Sequence, residues 1–139
     1  MDLKYKLDQL LKRVEKPGRY IGGEVNSAVK NPDDVDVNFA FAFPDLYEIG
    51  MSYLGLQILY NVLNRNANIY CQRVFAPAAD MEELMRQESV PLMTLETKTP
   101  IKEMDFVGFT LQYEMSYSTV LNMLELGGIP LYRRERGEE

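Results

Sequence analysis

The sequence of 139 residues contains no histidine. Histidine is the usual general base of enzymes and the most common protein ligand of metals. Its absence excludes Ser-His-Asp and Cys-His catalytic sites and histidine-ligated zinc hydrolases. The single cysteine, Cys71, excludes an internal disulfide and a metal site with several cysteine ligands. We therefore assign no catalytic and no metal-ligating residue.

Long hydrophobic runs and an excess of positive charge are also missing. No apolar run reaches the roughly 18 residues that a membrane-spanning helix needs, and the first residues alternate charged and apolar side chains, unlike a signal peptide. The net charge of −6 argues against a nucleic-acid surface. The apolar fraction of 46% and the charged fraction of 26% are typical of a globular domain. We expect a cytoplasmic protein that binds neither membranes nor nucleic acid.

The most informative stretch is residues 35–66. Residues 35–44 are apolar, aromatic or β-branched almost without interruption, which favours a strand that is buried on both faces, as in a parallel sheet. From Leu54 onwards, apolar residues recur at helical spacing. Ligands of open α/β sheets bind where loops leave the strands. We therefore expect the intervening loop, residues 45–52, to lie close to any ligand.

Strand and helix patterns alternate along the rest of the chain. We predict helices over residues 2–15, from Asp80, and from Ser116 or Ser118, and strands over 68–75, 90–95 and 105–111, with a strand or extended segment at 129–132. Alternation of this kind is typical of a parallel sheet with right-handed crossovers. The predicted fold class is α/β, a flavodoxin-like, doubly wound parallel sheet with an extra N-terminal helix.

The predicted domain organisation is a lead-in, residues 1–34, followed by the α/β domain, residues 35–139. Because the pattern ends on the start of a strand, we expect an incomplete sheet and a fragment of a longer protein. The apolar face of the first helix fits either the core of the domain or a surface for a partner. Cys71 is interpreted as a packed, small apolar side chain, since no base is available to activate it.

Four stretches resemble a known family. They are residues 16–24 (KPGRYIGGE), 43–55 (FPDLYEIGMSYLG), 74–77 (VFAP) and 107–114 (VGFTLQYE). They are similar to the N-terminal domain of a bacterial family of radical S-adenosylmethionine (radical SAM) proteins whose reaction is unassigned. The resemblance implies a cobalamin-binding-like domain placed before a radical SAM domain. That downstream domain would be the partner of this chain and would carry S-adenosylmethionine and a [4Fe–4S] cluster on a C-x-x-x-C-x-x-C motif.

The resemblance also implies where a corrinoid would bind. Cobalamin domains with a histidine ligand carry D-x-H-x-x-G after the first strand and S-x-L after the third. Asp45 and Gly50 keep the first spacing, but Tyr47 stands in place of the histidine, and only the hydroxyl of Thr110 is kept from the second motif. The candidate cofactor-binding residues are Asp45, Tyr47, Gly50, Ser52, Thr110 and Gln112. Cobalamin would have to bind there without a histidine ligand.

Three hypotheses follow from these patterns. The first is a non-catalytic accessory domain of a radical SAM protein that holds a corrinoid or the substrate in the loops 45–52 and 110–114. The second is a protein-interaction or homodimerisation module that uses the N-terminal helix and the unfinished sheet edge. The third is a binder of a nucleotide or flavin, against which the lack of a glycine-rich phosphate loop counts.

Overall fold

The computed structural model describes residues 2–137. Its helices are α1 (Leu3–Leu11), α2 (Gly18–Ile21), α3 (Tyr47–Met51), α4 (Leu54–Asn64), α5 (Ala79–Glu88) and α6 (Ser116–Leu126), and its strands are β1 (Val37–Phe43), β2 (Ile69–Phe75) and β3 (Phe106–Phe109). The strands form one 3-stranded parallel sheet in the order β2-β1-β3. This open α/β sheet, with helices on both faces, is consistent with the flavodoxin-like class, as predicted.

β1 is the central strand, and its side chains alternate between two cores. Ala42 faces a cluster formed with α1, α5 and α6, whereas Phe41 and Phe43 face a second cluster formed with α4. Residues 40–43 are all buried. The predicted burial of this strand on both faces is confirmed, because helices cover it from both sides. Cys71 is buried in the second cluster, and burial raises the pKa of its thiol to about 12.

The N-terminal helix α1 belongs to the core of the domain. Leu7 and Leu10 are 6% and 1% exposed and pack in one cluster with Met81 and Met85 of α5. The alternative, in which this face is a partner surface, is therefore wrong. The helix also ends earlier than predicted, at Leu11, and Val14 reaches the core from the turn that follows.

Two predicted strands are absent from the described residues. Residues 90–95 form only an isolated bridge from Met93 to Pro100. Their backbone N–H groups bond to different elements: that of Leu92 to the last residue of α6, and that of Leu95 to β2. Residues 129–132 form no strand, because Pro130 lacks a donor and its carbonyl accepts from the side chain of Arg136.

The predicted helix starts are also corrected. The N-cap of α5 is Ala78 and that of α6 is Met115, rather than Asp80 and a serine. The carboxylate of Asp80 instead accepts from the backbone of Glu15 at 2.9 Å, so it fastens the segment after α1. The short helix α3 lies in the segment 45–52 that was predicted as a loop, and α2 lies in the lead-in beyond the predicted helix 2–15.

Candidate functional site

A cleft of about 370 Å³ opens at the carboxyl end of the sheet. After β1 the chain passes through α3 and α4 to β2 on one side, whereas β3 pairs with β1 on the other side. Ligand sites of open α/β sheets lie at such a switch in strand order. The apolar wall of the cleft consists of Pro44, Leu46, Ala76 and Pro77, and its polar groups are Asp45, Glu82, Tyr113, Ser118, Thr119 and Asn122.

Asp45 is the first polar residue of the cleft after β1. Its Oδ1 accepts from the N–H of Leu46 at 2.8 Å, and its carbonyl accepts from the N–H of Ala76 at 2.9 Å. The bond from Ala76 joins the loop after β2 to the loop after β1. Within residues 2–137 no donor reaches its other carboxylate oxygen. That oxygen is therefore available to a hydrogen-bond donor in the cleft.

The opposite wall is a polar triangle between α5 and α6. Asn122 donates to Glu82 at 3.1 Å, and Arg86 donates to Glu82 at 3.2 Å and to Asn122 at 2.7 Å. These bonds fix the direction of the Glu82 and Asn122 side chains. Sequence reasoning missed both, because Glu82 resembles any acidic residue in a first helical turn and nothing in the sequence links it to Asn122.

Two of the predicted site residues serve packing rather than the cleft. The Tyr47 hydroxyl donates to Glu24 at 2.8 Å, and its ring lies edge-on to Phe75 with centroids 5.5 Å apart. Burial and the Glu24 carboxylate raise the pKa of Tyr47 to about 12. A Cβ on Gly50 would lie 2.2 Å from a ring carbon of Phe75 and 3.1 Å from one of Phe43. Gly50 thus permits a close approach between α3 and the aromatic core.

The remaining predicted residues lie outside the cleft lining. Ser52 follows α3 directly and its hydroxyl donates to the carbonyl of Glu48 at 2.7 Å. The side chains of Thr110 and Gln112 bond to each other just beyond β3. The structure therefore places Asp45 in the cleft, pairs Thr110 with Gln112, and directs Tyr47, Gly50 and Ser52 to other contacts. Their role in binding a cofactor stays a prediction.

A buried charge cluster, which we call the Arg73 cluster, lies on the α4 side of the sheet and comprises Arg73, Glu96, Glu24, Ser27 and Tyr60. Arg73 is 0% exposed and its Nε donates to Glu96 at 2.8 Å. Its Nη2 donates to Ser27 at 2.9 Å and to Glu24 at 3.3 Å, and the guanidinium lies 4.2 Å from the Tyr60 ring centroid. The cluster anchors the lead-in to β2. The available signal was an arginine, beside Gln72, inside a strand of mainly apolar residues.

Comparison with known families gives one match. Residues 55–139, more than half of the chain, match the family model described as radical SAM proteins, N-terminal. The chain belongs to this family of N-terminal domains. It is thus an accessory domain of a radical SAM protein, and in the parent protein a radical SAM domain is linked to it. No curated protein and no solved structure matches the chain.

No helix within residues 2–137 is long and apolar enough to cross a membrane.

The structure tests whether these residues suit a corrinoid with a protein ligand on cobalt. The chain has no histidine. The hydroxyl of Tyr47, which replaces the histidine, is engaged by Glu24, and the space beside Gly50 is filled by aromatic rings. These residues do not fit a corrinoid that is coordinated by the protein.

Proposed function

We propose that this accessory domain holds a small molecule in the cleft at the carboxyl end of the sheet, for use by the linked radical SAM domain. The observation that carries the proposal is the open carboxylate oxygen of Asp45 at the switch in strand order. A cleft of about 370 Å³ is within the range of small-molecule sites, roughly 300–1,000 Å³.

The charges of the cleft indicate which molecules suit it. Asp45 is acidic and none of the residues that line the cleft is Lys or Arg, while the charge of Glu82 is paired with Arg86 beside it. Phosphates and carboxylates are therefore disfavoured, and neutral or cationic molecules with hydroxyl or amine donors are favoured. A peripheral amide of a corrinoid would also donate to Asp45. A corrinoid bound without a protein ligand on cobalt is the second candidate, but most of its large ring would extend beyond the cleft.

Nuclear magnetic resonance titration tests the proposal. The ¹⁵N-labelled protein is titrated with a library of hydroxyl- and amine-bearing fragments and, separately, with hydroxocobalamin. We expect amide shifts at Asp45, Leu46, Ala76 and Ser118. Because a hydrogen bond to a charged group contributes about 1.5–3 kcal/mol, Asp45→Asn should weaken binding about tenfold or more. Asp33→Asn is the matched control, since Asp33 is exposed and lies outside the cleft.

Two results contradict the proposal: shifts that map to another surface, or equal binding by Asp45→Asn and the unmodified protein. Binding of hydroxocobalamin with cleft shifts, and no binding of the fragments, selects the corrinoid over a small substrate. Unperturbed spectra with both probes overturn both candidates.

A further inference from the structure

The outer face of α4 carries no charge. The helix reads LGLQILYNVLN, without a single acidic or basic residue. Leu56 and Tyr60 pack into the core, yet Leu54, Ile58 and Val62 on another side of the helix are 72%, 52% and 54% exposed. A helix that is apolar around most of its circumference is usually covered on both sides. This row of side chains is therefore suited to a contact with another protein surface.

The free edge of β3 adjoins the same face of the sheet. Thr110, the residue after β3, donates its N–H to the carbonyl of Ala42 in β1 at 3.3 Å. In a parallel strand successive residues alternate in direction, so Phe106 and Gly108 bond to β1, whereas Val107 and Phe109 point their N–H and C=O groups to the free edge. Phe106 is 59% exposed and stacks on Phe39, which packs against the α4-side core. An open edge with apolar side chains is a template for strand addition.

The course of the chain after α6 indicates what covers this edge. The chain leaves α6 through Gly128, whose Cβ position is 3.6 Å from the side chain of Lys102, a few residues before β3. A right-handed crossover from β3 through α6 places a following parallel strand at the free edge of β3. A domain linked to this one is tethered next to the edge, at high effective concentration.

We propose that the radical SAM domain linked to domains of this family docks on the α4–β3 surface, defined as Leu54, Ile58, Val62, Phe106 and the open edge of residues 107–109. One of its strands pairs in parallel with β3, and its apolar side chains cover the outer face of α4. None of these residues lines the cleft. The inference rests on the family assignment and is independent of the ligand proposed for the cleft.

Hydrogen exchange read by mass spectrometry tests the docking. The two-domain parent protein and the present chain are compared over peptides that cover residues 54–64 and 105–110. We expect the amides of Val107 and Phe109 to exchange about tenfold or more slowly in the parent protein, because they gain strand partners. The double variant Ile58→Lys/Val62→Lys should abolish much of this protection. Tyr5→Lys on α1, at an aromatic residue that is 53% exposed, is the control and should not change it.

Equal exchange of the β3 amides in the two proteins would overturn the proposal. Protection that develops in the present chain as its concentration rises, with no further gain in the parent protein, would assign the surface to a second copy and overturn it as well. Neither result affects the titration of the cleft, which is read at Asp45 and Ser118.

Discussion

The two helical layers on either side of the sheet place their charges in opposite ways. The layer of α1, α5 and α6 carries its ion pairs outside, among them Arg13–Glu88 and Arg86–Glu125, whose side chains are about half exposed. The layer of α4 carries its charges inside, in the Arg73 cluster, and leaves its outer face apolar.

The two outer faces therefore differ in their chemistry. Exposed ion pairs add little to the free energy of unfolding, and their charged groups stay hydrated. Buried charges must be paired, because an isolated charge in the interior is costly. The layer of α1, α5 and α6 thus exposes charged side chains to solvent. The α4 layer is held from inside by the Arg73 cluster and exposes apolar side chains. The domain thus has one outer side with paired charges and one outer side that is apolar.

The largest effect is expected from Arg73→Met, which removes the centre of the buried cluster. Glu96, with a side chain that is 3% exposed, would lose its cationic partner. Breaking a buried pair on one side costs about 3–5 kcal/mol. We expect the free energy of unfolding in urea to fall by this amount.

Arg86→Met is the control on the other layer, because Arg86 pairs at the surface. It should change the free energy of unfolding far less. Similar losses in the two variants would refute the contrast between inner and outer charges. In the double variant Arg73→Met/Glu96→Gln part of the loss should be recovered, because no unpaired carboxylate remains at Glu96.

A smaller effect is expected from Leu10→Ala on α1. Leu10 is 1% exposed in the core, so its truncation leaves a cavity and should cost about 2–5 kcal/mol. Leu59→Ala on the outer side of α4, where Leu59 is 51% exposed, should cost clearly less. Thermal and urea unfolding of both variants measure the difference. If Leu10→Ala were as mild as Leu59→Ala, α1 would not be part of the core.

The smallest effect concerns the pH dependence of the Arg73 cluster through Glu24. Burial by itself would raise the pKa of the Glu24 carboxyl. Hydrogen bonds, among them those from Tyr47 and Ser27, outweigh the effect of burial, so this pKa lies below its ordinary value of 4.5. A lowered folded-state pKa stabilises the fold above the unfolded-state pKa, and this contribution is lost as the pH falls through the folded-state value.

Urea unfolding at a series of pH values between neutral and strongly acidic measures this effect. The stability of the unmodified protein relative to Glu24→Gln should be greatest above pH 4.5 and should shrink as the pH falls. In Tyr47→Phe the dependence should be weaker, because a hydrogen bond that lowers the pKa of Glu24 is lost. A relative stability that is constant over the whole pH range would exclude Glu24 as a contributor.

Patterns of apolar residues along the chain predicted all three strands of the sheet. β1, β2 and β3 lie within their predicted ranges, because uninterrupted apolar runs report burial on both faces. The prediction of a strand at residues 90–95 was wrong, because it too rested on apolar side chains alone. Its apolar side chains are buried, but its backbone bonds go to separate neighbours, and side-chain composition does not report backbone partners.

The candidate site was predictable only in part. Asp45 was found because the loop that follows a central strand of an open α/β sheet begins at the carboxyl edge, where ligands bind. Tyr47 lies two residues further on, yet the turn into α3 directs its side chain to Glu24. Glu82 and Asn122 were missed, since they meet only when α5 and α6 pack side by side.

The sequence by itself determined the α/β class, the central position of the strand after residue 35, the loop that reaches the cleft, and the family. Each of these follows from local periodicity or from contiguous motifs. Only the tertiary structure decided that α1 completes the core, that Arg73 gathers Glu24, Ser27 and Glu96, and that α4 keeps an apolar outer face. These features depend on which distant residues the topology brings into contact, and pairing between distant residues leaves no periodic signal in a single sequence.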